Sequence, residues 1–559
     1  MLSQIESWAD GRPGRRRLAL AVLFLTALAL LAMGIREHTG VTGKDEYFLS
    51  LRTALCMVEQ EQWLVPCLDG APRLKKPPML YWLTRASHEA FGVSLGSARL
   101  VAVSLAALLV LGVALIALEL GADLSQGLLA GLIAASFLGL SVNGRMLELD
   151  IPVAAFSTLA FCFLLRWYKR DQAVALALSA LFLAAGFLTK GPVAFIVCGG
   201  GGLALLALDP QARAFLAGHW RSALGAALLF ALLALPWFLY VNQLYPERSA
   251  QELTRELTAR HFFQLSPVPL YGPLMLILPW SLVALGRLGT IHRLTGEQRH
   301  QALMLALWLA LTLLPFFFIK TFERYLFGSL VPMALLLAQP GWRWGAGLSW
   351  AARVGLLLTL LLTLPVFALA LWLSGPAPAL ALGIPVLGWF ILRWWRAEHG
   401  GTMALTALLL WSCTLGLAYP RLGINQVPPH IVERVGEQPA IFYHGPQPGL
   451  LPALLGRSLH HVNDDWRLPE PLRESCTPFL LFAQEAESAR ALQGLERLGL
   501  AAIELERFGV FSSRVSWQNL ARRGISRDDA LNALKNRDLE TIKPQVVLYR
   551  VSDPQCPGD

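Results

Sequence analysis

Thirteen stretches of this chain are long and apolar enough to cross a bilayer, and that repetition limits its fold more than any other feature. A spanning helix needs about 20 predominantly apolar residues. Hydrocarbon offers no partner to backbone amides, so runs of this length read as helices. They begin near Leu18, Ser97, Gly127, Ile151, Ala173, Val193, Ser222, Pro273, Ala302, Leu326, Ala352, Ala379 and Met403. Only 15% of the 559 residues are charged, against about 25% in a soluble protein. The first run follows Arg12, Arg15, Arg16 and Arg17 and reaches no small-residue cleavage site before Lys44. It therefore reads as a retained helix rather than a signal peptide.

The formal net charge of +9 is no sign of a nucleic-acid partner, because the basic residues gather in short loops between apolar runs. Arg166, Lys169 and Arg170, then Arg213 and Arg221, then Arg287, Arg293 and Arg299, then Arg343 and Arg353, then Arg393 and Arg396 all fall on the side of the N-terminus. Short cytoplasmic loops carry the Lys/Arg excess, which places the N-terminus in the cytoplasm. Thirteen crossings then put the C-terminus in the periplasm of a bacterial inner membrane. The expected architecture is a polytopic α-helical membrane protein with a transmembrane part, 1–419, and a soluble periplasmic α/β domain, 420–559. Segments 37–96 and 242–272 are the long periplasmic loops.

Loop 37–96 has amphipathic helical spacing over Phe48–Val58 and Tyr81–Phe91, which suits helices lying in the interface plane. A basic, proline-stiffened turn, Gly70 to Pro78, separates them. Loop 242–272 is helical in spacing through Arg248, Glu252, Arg255 and Glu256 and breaks at Ser266-Pro-Val-Pro269. Beyond Tyr419 the composition is that of a soluble domain. Ala440–Tyr443, Phe479–Phe482 and Val546–Tyr549 read as strands, Glu485–Leu498 and Arg527–Asn536 as helices. Cys162, Cys198 and Cys413 lie within spans as packing residues. Cys56 with Cys67, and Cys476 with Cys556, lie where the oxidising periplasm allows disulfides, and geometry decides whether they close.

The periplasmic side returns charges to the membrane face from separate segments. They are Asp45, Glu46 and Tyr47; Lys75 and Lys76, with Tyr81; Arg145, Glu148 and Asp150; Lys190; Arg260 and His261; and Lys320, Glu323, Arg324 and Tyr325. Lys and Arg there oppose the positive-inside rule, so function has to explain them. Cations at a membrane face suit an anionic lipid headgroup, with Arg able to hold phosphate bidentately. Carboxylates suit a hydroxyl, an amine, a proton or a metal. Blander readings stand beside these: Glu323–Arg324 as a surface ion pair, Lys190 as a snorkelling helix end, and His261 as structural.

Asp45-Glu46 behind the first span, Lys75-Lys76-Pro-Pro with Tyr81-Trp82, Leu188-Thr-Lys190-Gly-Pro192 and the Arg324-Tyr325 turn together resemble the GT-C superfamily of lipid-phosphate-sugar glycosyltransferases. Within it the chain resembles the bacterial aminoarabinose (4-amino-4-deoxy-L-arabinose) transferases acting on lipid A, and more distantly the protein O-mannosyltransferases. The resemblance implies transfer of aminoarabinose from undecaprenyl phosphate to a lipid A phosphate by a monomer. Asp45, Glu46, Glu148 and Asp150 would then be the catalytic carboxylates, with either carboxylate of Glu148-Leu-Asp150 able to align with the family's second acidic site. Lys75, Lys76, Arg145, Lys190, Arg260, Lys320 and Arg324 would hold phosphates, and Tyr47, Tyr81 and Tyr325 would position substrate. No cofactor is firmly implied; His261 with a loop carboxylate is the candidate for a divalent metal. The rival of another class, a transporter, would place its charges nearer the bilayer midplane.

Overall fold

The computed structural model describes residues 13–43, 45–259, 263–339, 346–375, 400–443, 450–464, 466–469, 476–511 and 524–556, together with 383, 388–389, 472 and 521–522. Twelve of the thirteen expected starts fall on helical residues, and the one near Ala379 lies outside the described residues. Among the described residues, seven helices are long and apolar enough to cross a membrane, or up to nine if each of two bent pairs is one span. The pairs break by 108° after Leu208 and by 118° after Leu276.

The shortfall from thirteen has local causes. The first helix, α1 (Pro13–Leu31), carries Arg15, Arg16 and Arg17 in its opening turns. The run near Gly127 ends at Ala135 and resumes only at Leu138, while the run near Leu326 opens as a 3-10 turn before Leu330–Ala338. The chain is a multi-pass membrane protein whose helices carry most of the buried apolar core.

The first long loop opens with a π-helical turn, Glu46–Ser50, running into α2 (Leu51–Glu59). A two-residue hairpin follows, β1 (Cys67–Leu68) against β2 (Ala71–Pro72), then α3 (Met79–Phe91) and the spanning α4 (Leu95–Glu119). Ser94 starts α4 with a capping box to Ser97. Cys56–Cys67 and Cys476–Cys556 are both disulfides. The apolar faces of α2 and α3 do not lie on lipid as the spacing predicts. Leu51, Leu55, Met57 and Leu80 are all at most 3% exposed, and protein covers them.

Much of that cover is the C-terminal sheet. β3 (Ala440–Tyr443), β4 (His460–Val462), β5 (Phe479–Gln484), β6 (Ala501–Gly509) and β7 (Gln545–Ser552) pair in the order β4-β3-β5-β7-β6. β3 is parallel to β4 and β5, while β7 is antiparallel to β5 and β6. One face packs with Tyr47, Leu51, Leu80, Leu95 and Leu147 through Phe442, Leu480, Phe482 and Leu548. The other face closes a core with Trp466, Ala491 and Leu495. Three strands and two helices were legible in the sequence. β6 was not, because it is an edge strand whose Glu504, Glu506 and Arg507 read as a solvated segment.

Candidate active site

Asp45 and Glu46 are neighbours at the start of the π-helical turn, yet they face opposite environments. Such turns recur at functional sites. Glu46 is fully buried. Its Oε1 accepts from Arg99 Nε at 2.7 Å and from the Leu147 amide at 3.0 Å, and its Oε2 from Arg99 Nη2 at 2.8 Å and Thr42 Oγ1 at 2.6 Å. Protein donors occupy both oxygens, and Glu46 is not among the residues lining the cavity beside Asp45. The expectation of a catalytic Glu46 is corrected to that of a staple joining the first loop, α4 and the Glu148 turn. Tyr47 is likewise buried, its hydroxyl donating to the His38 carbonyl at 3.3 Å. It forms part of the core against the sheet rather than positioning substrate.

Asp45 instead lines a cavity of about 320 Å³ with Arg73, Lys75, Lys76, Tyr81, Asp150, Lys190, Glu256, Lys320, Arg324 and Tyr325. Arg324 Nη2 meets Asp45 Oδ2 at 2.7 Å, while its Nη1 stands 3.6 Å from Glu148 Oε1. Arg324 therefore serves the acidic site, not the surface pair with Glu323. That carboxylate accepts instead from the Tyr271 hydroxyl at 3.4 Å. Burial alone would lower the Arg324 pKa, but Glu148, Asp45 and Asp150 together raise it.

Glu148 sits just behind this lining, 4% exposed. Burial pushes its pKa up to about 8, Arg324 opposing and Asp150, Asp45 and Glu46 adding to the rise. Asp150 begins α5 (Asp150–Arg170) and contacts Lys190, the last residue of α6 (Ala173–Lys190). Gly191, with φ +63°, lets the chain turn away immediately after Lys190. The Lys190 ammonium also lies 4.3 Å from the centroid of the Tyr325 ring.

The cations divide into engaged and available groups. Lys76 is held by Glu256 at 2.8 Å. Lys75 and Lys320 are exposed on the cavity, and among the described residues neither has an ion-pair partner. Arg145 does not join them. It is buried and donates to the carbonyls of Ser141 at 2.7 Å, Met33 at 2.5 Å and Leu30 at 3.4 Å. Burial, with Arg99 nearby, lowers its pKa to about 9. The expected phosphate ligand is thus a brace between the first span and the Glu148 turn.

Lys44, Arg260 and His261 lie outside the described residues. Among those described, no three His, Cys, Asp or Glu side chains gather as metal ligands. Sequence reasoning missed Arg73, Glu256 and Arg99. Arg73 stood in plain view in the basic turn but was not singled out, and Glu256 was noted only for its helical spacing in loop 242–272. Arg99, inside an apolar run, was the overlooked signal, since a membrane helix retains such a charge only for a partner.

Residues 47–250 match the Dolichyl-phosphate-mannose-protein mannosyltransferase family. The chain is 30% identical over 296 residues to the undecaprenyl phosphate-alpha-4-amino-4-deoxy-L-arabinose arabinosyl transferase 1 of Sodalis glossinidius, covering 51% of this chain and 52% of that one. The correspondingly named transferase of Pseudomonas paraeruginosa is 29% identical over 341 residues, 57% of this chain and 58% of the relative. The chain spans about half the length of the curated relatives it matches. Its fold is that of ArnT from Cupriavidus metallidurans, a structure bound to undecaprenyl phosphate. The TM-score is 0.67 at 17% identity, over 95% of this chain and 97% of that one. The resemblance to GT-C glycosyltransferases of the aminoarabinose type therefore holds in sequence and in fold.

Proposed function

We propose that the chain is a periplasm-facing glycosyltransferase moving 4-amino-4-deoxy-L-arabinose from undecaprenyl phosphate to a phosphate of lipid A. The observation that carries this reading is the cavity in which Lys75 and Lys320, without carboxylate partners among the described residues, share one space with the Asp45–Arg324 pair. In the reaction the bond between the sugar's anomeric carbon and the polyprenyl phosphate oxygen breaks. A bond from that carbon to a lipid A phosphate oxygen forms. Undecaprenyl phosphate leaves, and its developing charge needs donors already in place. Lys75 and Lys320 supply them, with Arg324 completing the set.

The acceptor phosphate has a second pKa of about 6 and is largely a competent nucleophile at neutral pH. Asp45, engaged with Arg324, orients this acceptor through a bridging cation, that guanidinium or a bound ion, rather than acting as a strong base. Asp150 lines the cavity while Glu148 sits behind it, so Asp150 is the carboxylate that reaches the sugar's ammonium group. Glu148, whose burial favours its protonated form, supports Arg324 from behind.

The reading places the protein as a monomer in a bacterial inner membrane. It has thirteen crossings, a cytoplasmic N-terminus, and the sheet over the periplasmic loop as a domain spanning 420–559. Mass spectrometry of lipid A from cells with and without the gene tests it. An increment of one aminoarabinose that depends on Asp45 is expected. Unchanged lipid A with altered protein glycosylation supports the mannosyltransferase-like alternative that the 47–250 match favours. Loss of neither product, with altered lipid distribution between leaflets, supports a transporter.

A further inference from the structure

The transfer chemistry gives Arg73 no task. Arg73 lines the cavity and is only 8% exposed. Among the described residues its guanidinium meets no carboxylate. It donates to the Tyr81 hydroxyl and lies 5.5 Å from the centroid of the same ring. A guanidinium carries five N–H donors in a rigid fork. A buried charge is costly unless paired and hydrogen-bonded, and here the space beside it opens into a cavity rather than onto an anion. Lys76, three residues on, contrasts with it, since Glu256 neutralises that ammonium.

The placement of Arg73 is fixed from two directions. It follows β2 directly, and its backbone amide donates to the Pro66 carbonyl at 2.7 Å. The hairpin that carries it is fastened to α2 twice, by the Cys56–Cys67 disulfide and by the contact of Arg52 with Asp69. Tyr81, which receives the Arg73 hydrogen bond, packs against that disulfide together with Met57. The chain thus anchors a buried, charge-unpaired guanidinium at a cavity wall, and anchoring of this kind cuts the entropy lost when a ligand is gripped.

We infer that Arg73 binds a lipid-linked phosphate in this cavity, and that the disulfide-fastened hairpin holds it in position to do so. The inference rests on the reading that the cavity takes lipid phosphates. The phosphate belongs either to the polyprenyl lipid or to the lipid A acceptor, and one set of measurements separates the two. Full-length protein in detergent micelles is titrated with undecaprenyl phosphate, and with undecaprenol as the phosphate-free control, following tryptophan fluorescence. The KM for lipid A is then measured at saturating donor.

Losing a hydrogen bond to a charged group in Arg73→Gln should weaken one of these two constants by about tenfold or more, with Arg73→Lys recovering part of the loss. Gel filtration and thermal melting establish that both variants are folded. A loss in undecaprenyl phosphate affinity with undecaprenol binding unchanged assigns the polyprenyl phosphate. A loss confined to the KM for lipid A assigns the acceptor. Unchanged constants in a folded Arg73→Gln variant overturn the inference while leaving the transferase reading intact. A wild type that binds undecaprenyl phosphate through Arg73 but transfers no aminoarabinose overturns the transferase reading and leaves Arg73 standing. A wild type that binds neither phosphate overturns both. In a Cys56→Ser/Cys67→Ser background the penalty for Arg73→Gln should shrink towards none, and an undiminished penalty overturns the positioning role of the disulfide.

Discussion

Two ion pairs begin one residue apart in the sequence and have opposite characters. Glu46 and Arg99 have side-chain exposures of 0% and 1%, and protein donors fill both carboxylate oxygens. Asp45 and Arg324 are 34% and 28% exposed and open onto the cavity. Burying a charge pair is costly, and removing one partner leaves the other stranded. A half-exposed pair can exchange a partner for water or substrate at little cost. The first pair fixes the backbone, and the second faces the cavity from the frame so fixed.

The contrast is broken most severely at Glu46. Glu46→Ala strands Arg99 and should cost roughly 3–5 kcal/mol of stability. Thermal melting in detergent would show it, while the surviving folded fraction keeps most of its turnover. A variant as stable as wild type contradicts the assignment. Asp45→Asn should do the reverse, leaving the melting curve in place while transfer falls by about a hundredfold or more, as expected when a positioned substrate loses its orientation. A large drop in melting temperature there would erase the distinction between the pairs.

Smaller effects sharpen the picture. Lys75→Gln and Lys320→Gln should each weaken undecaprenyl phosphate binding about fivefold at low salt, with the difference shrinking at high ionic strength because exposed charges are screened. Titrations at two salt concentrations measure both parts. Glu148 adds a pH test whose sign is fixed. Its folded-state pKa of about 8 lies above the ordinary 4.5, so the native state holds a proton that the unfolded chain has released. Stability should therefore fall as pH rises across that window. Glu148→Gln removes this dependence, and its melting temperature should gain on wild type between pH 6 and pH 9. An identical pH profile in both proteins counts against a buried, protonated Glu148. The smallest change belongs to Glu323→Gln, whose hydrogen bond from Tyr271 is long and exposed, so its melting temperature in detergent should match wild type.

The sequence made the segments legible but not the roles of adjacent residues within them. Charges returned to one membrane face from separate segments pointed to Asp45, Lys75, Lys76, Asp150, Lys190, Lys320 and Arg324, all of which line one cavity. The same argument drew in Glu46 and Arg145, because hydropathy sees a charge near an interface and not the direction in which it points. A residue's direction depends on its neighbours in space, and the Arg99 that claims Glu46 lies far along the chain inside an apolar run. β6 escaped for a related reason, since charges alternating on an edge strand look like those of a loop until the partner strand is known.

The C-terminal sheet sits over the first loop, with Phe442 and Phe482 in one apolar cluster with Tyr47, Leu51 and Leu80. For a chain made from its N-terminus, this sets an order of events. The loop that bears Asp45 is made early, with its apolar side uncovered, and waits through synthesis of every later span before its cover exists. A product cut short after the final span would lack more than an appended module. Its acidic loop would stand open on the side that the sheet covers, with Tyr47, Leu51 and Leu80 left without that apolar partner. The sheet is therefore the late-made cover of an early-made loop.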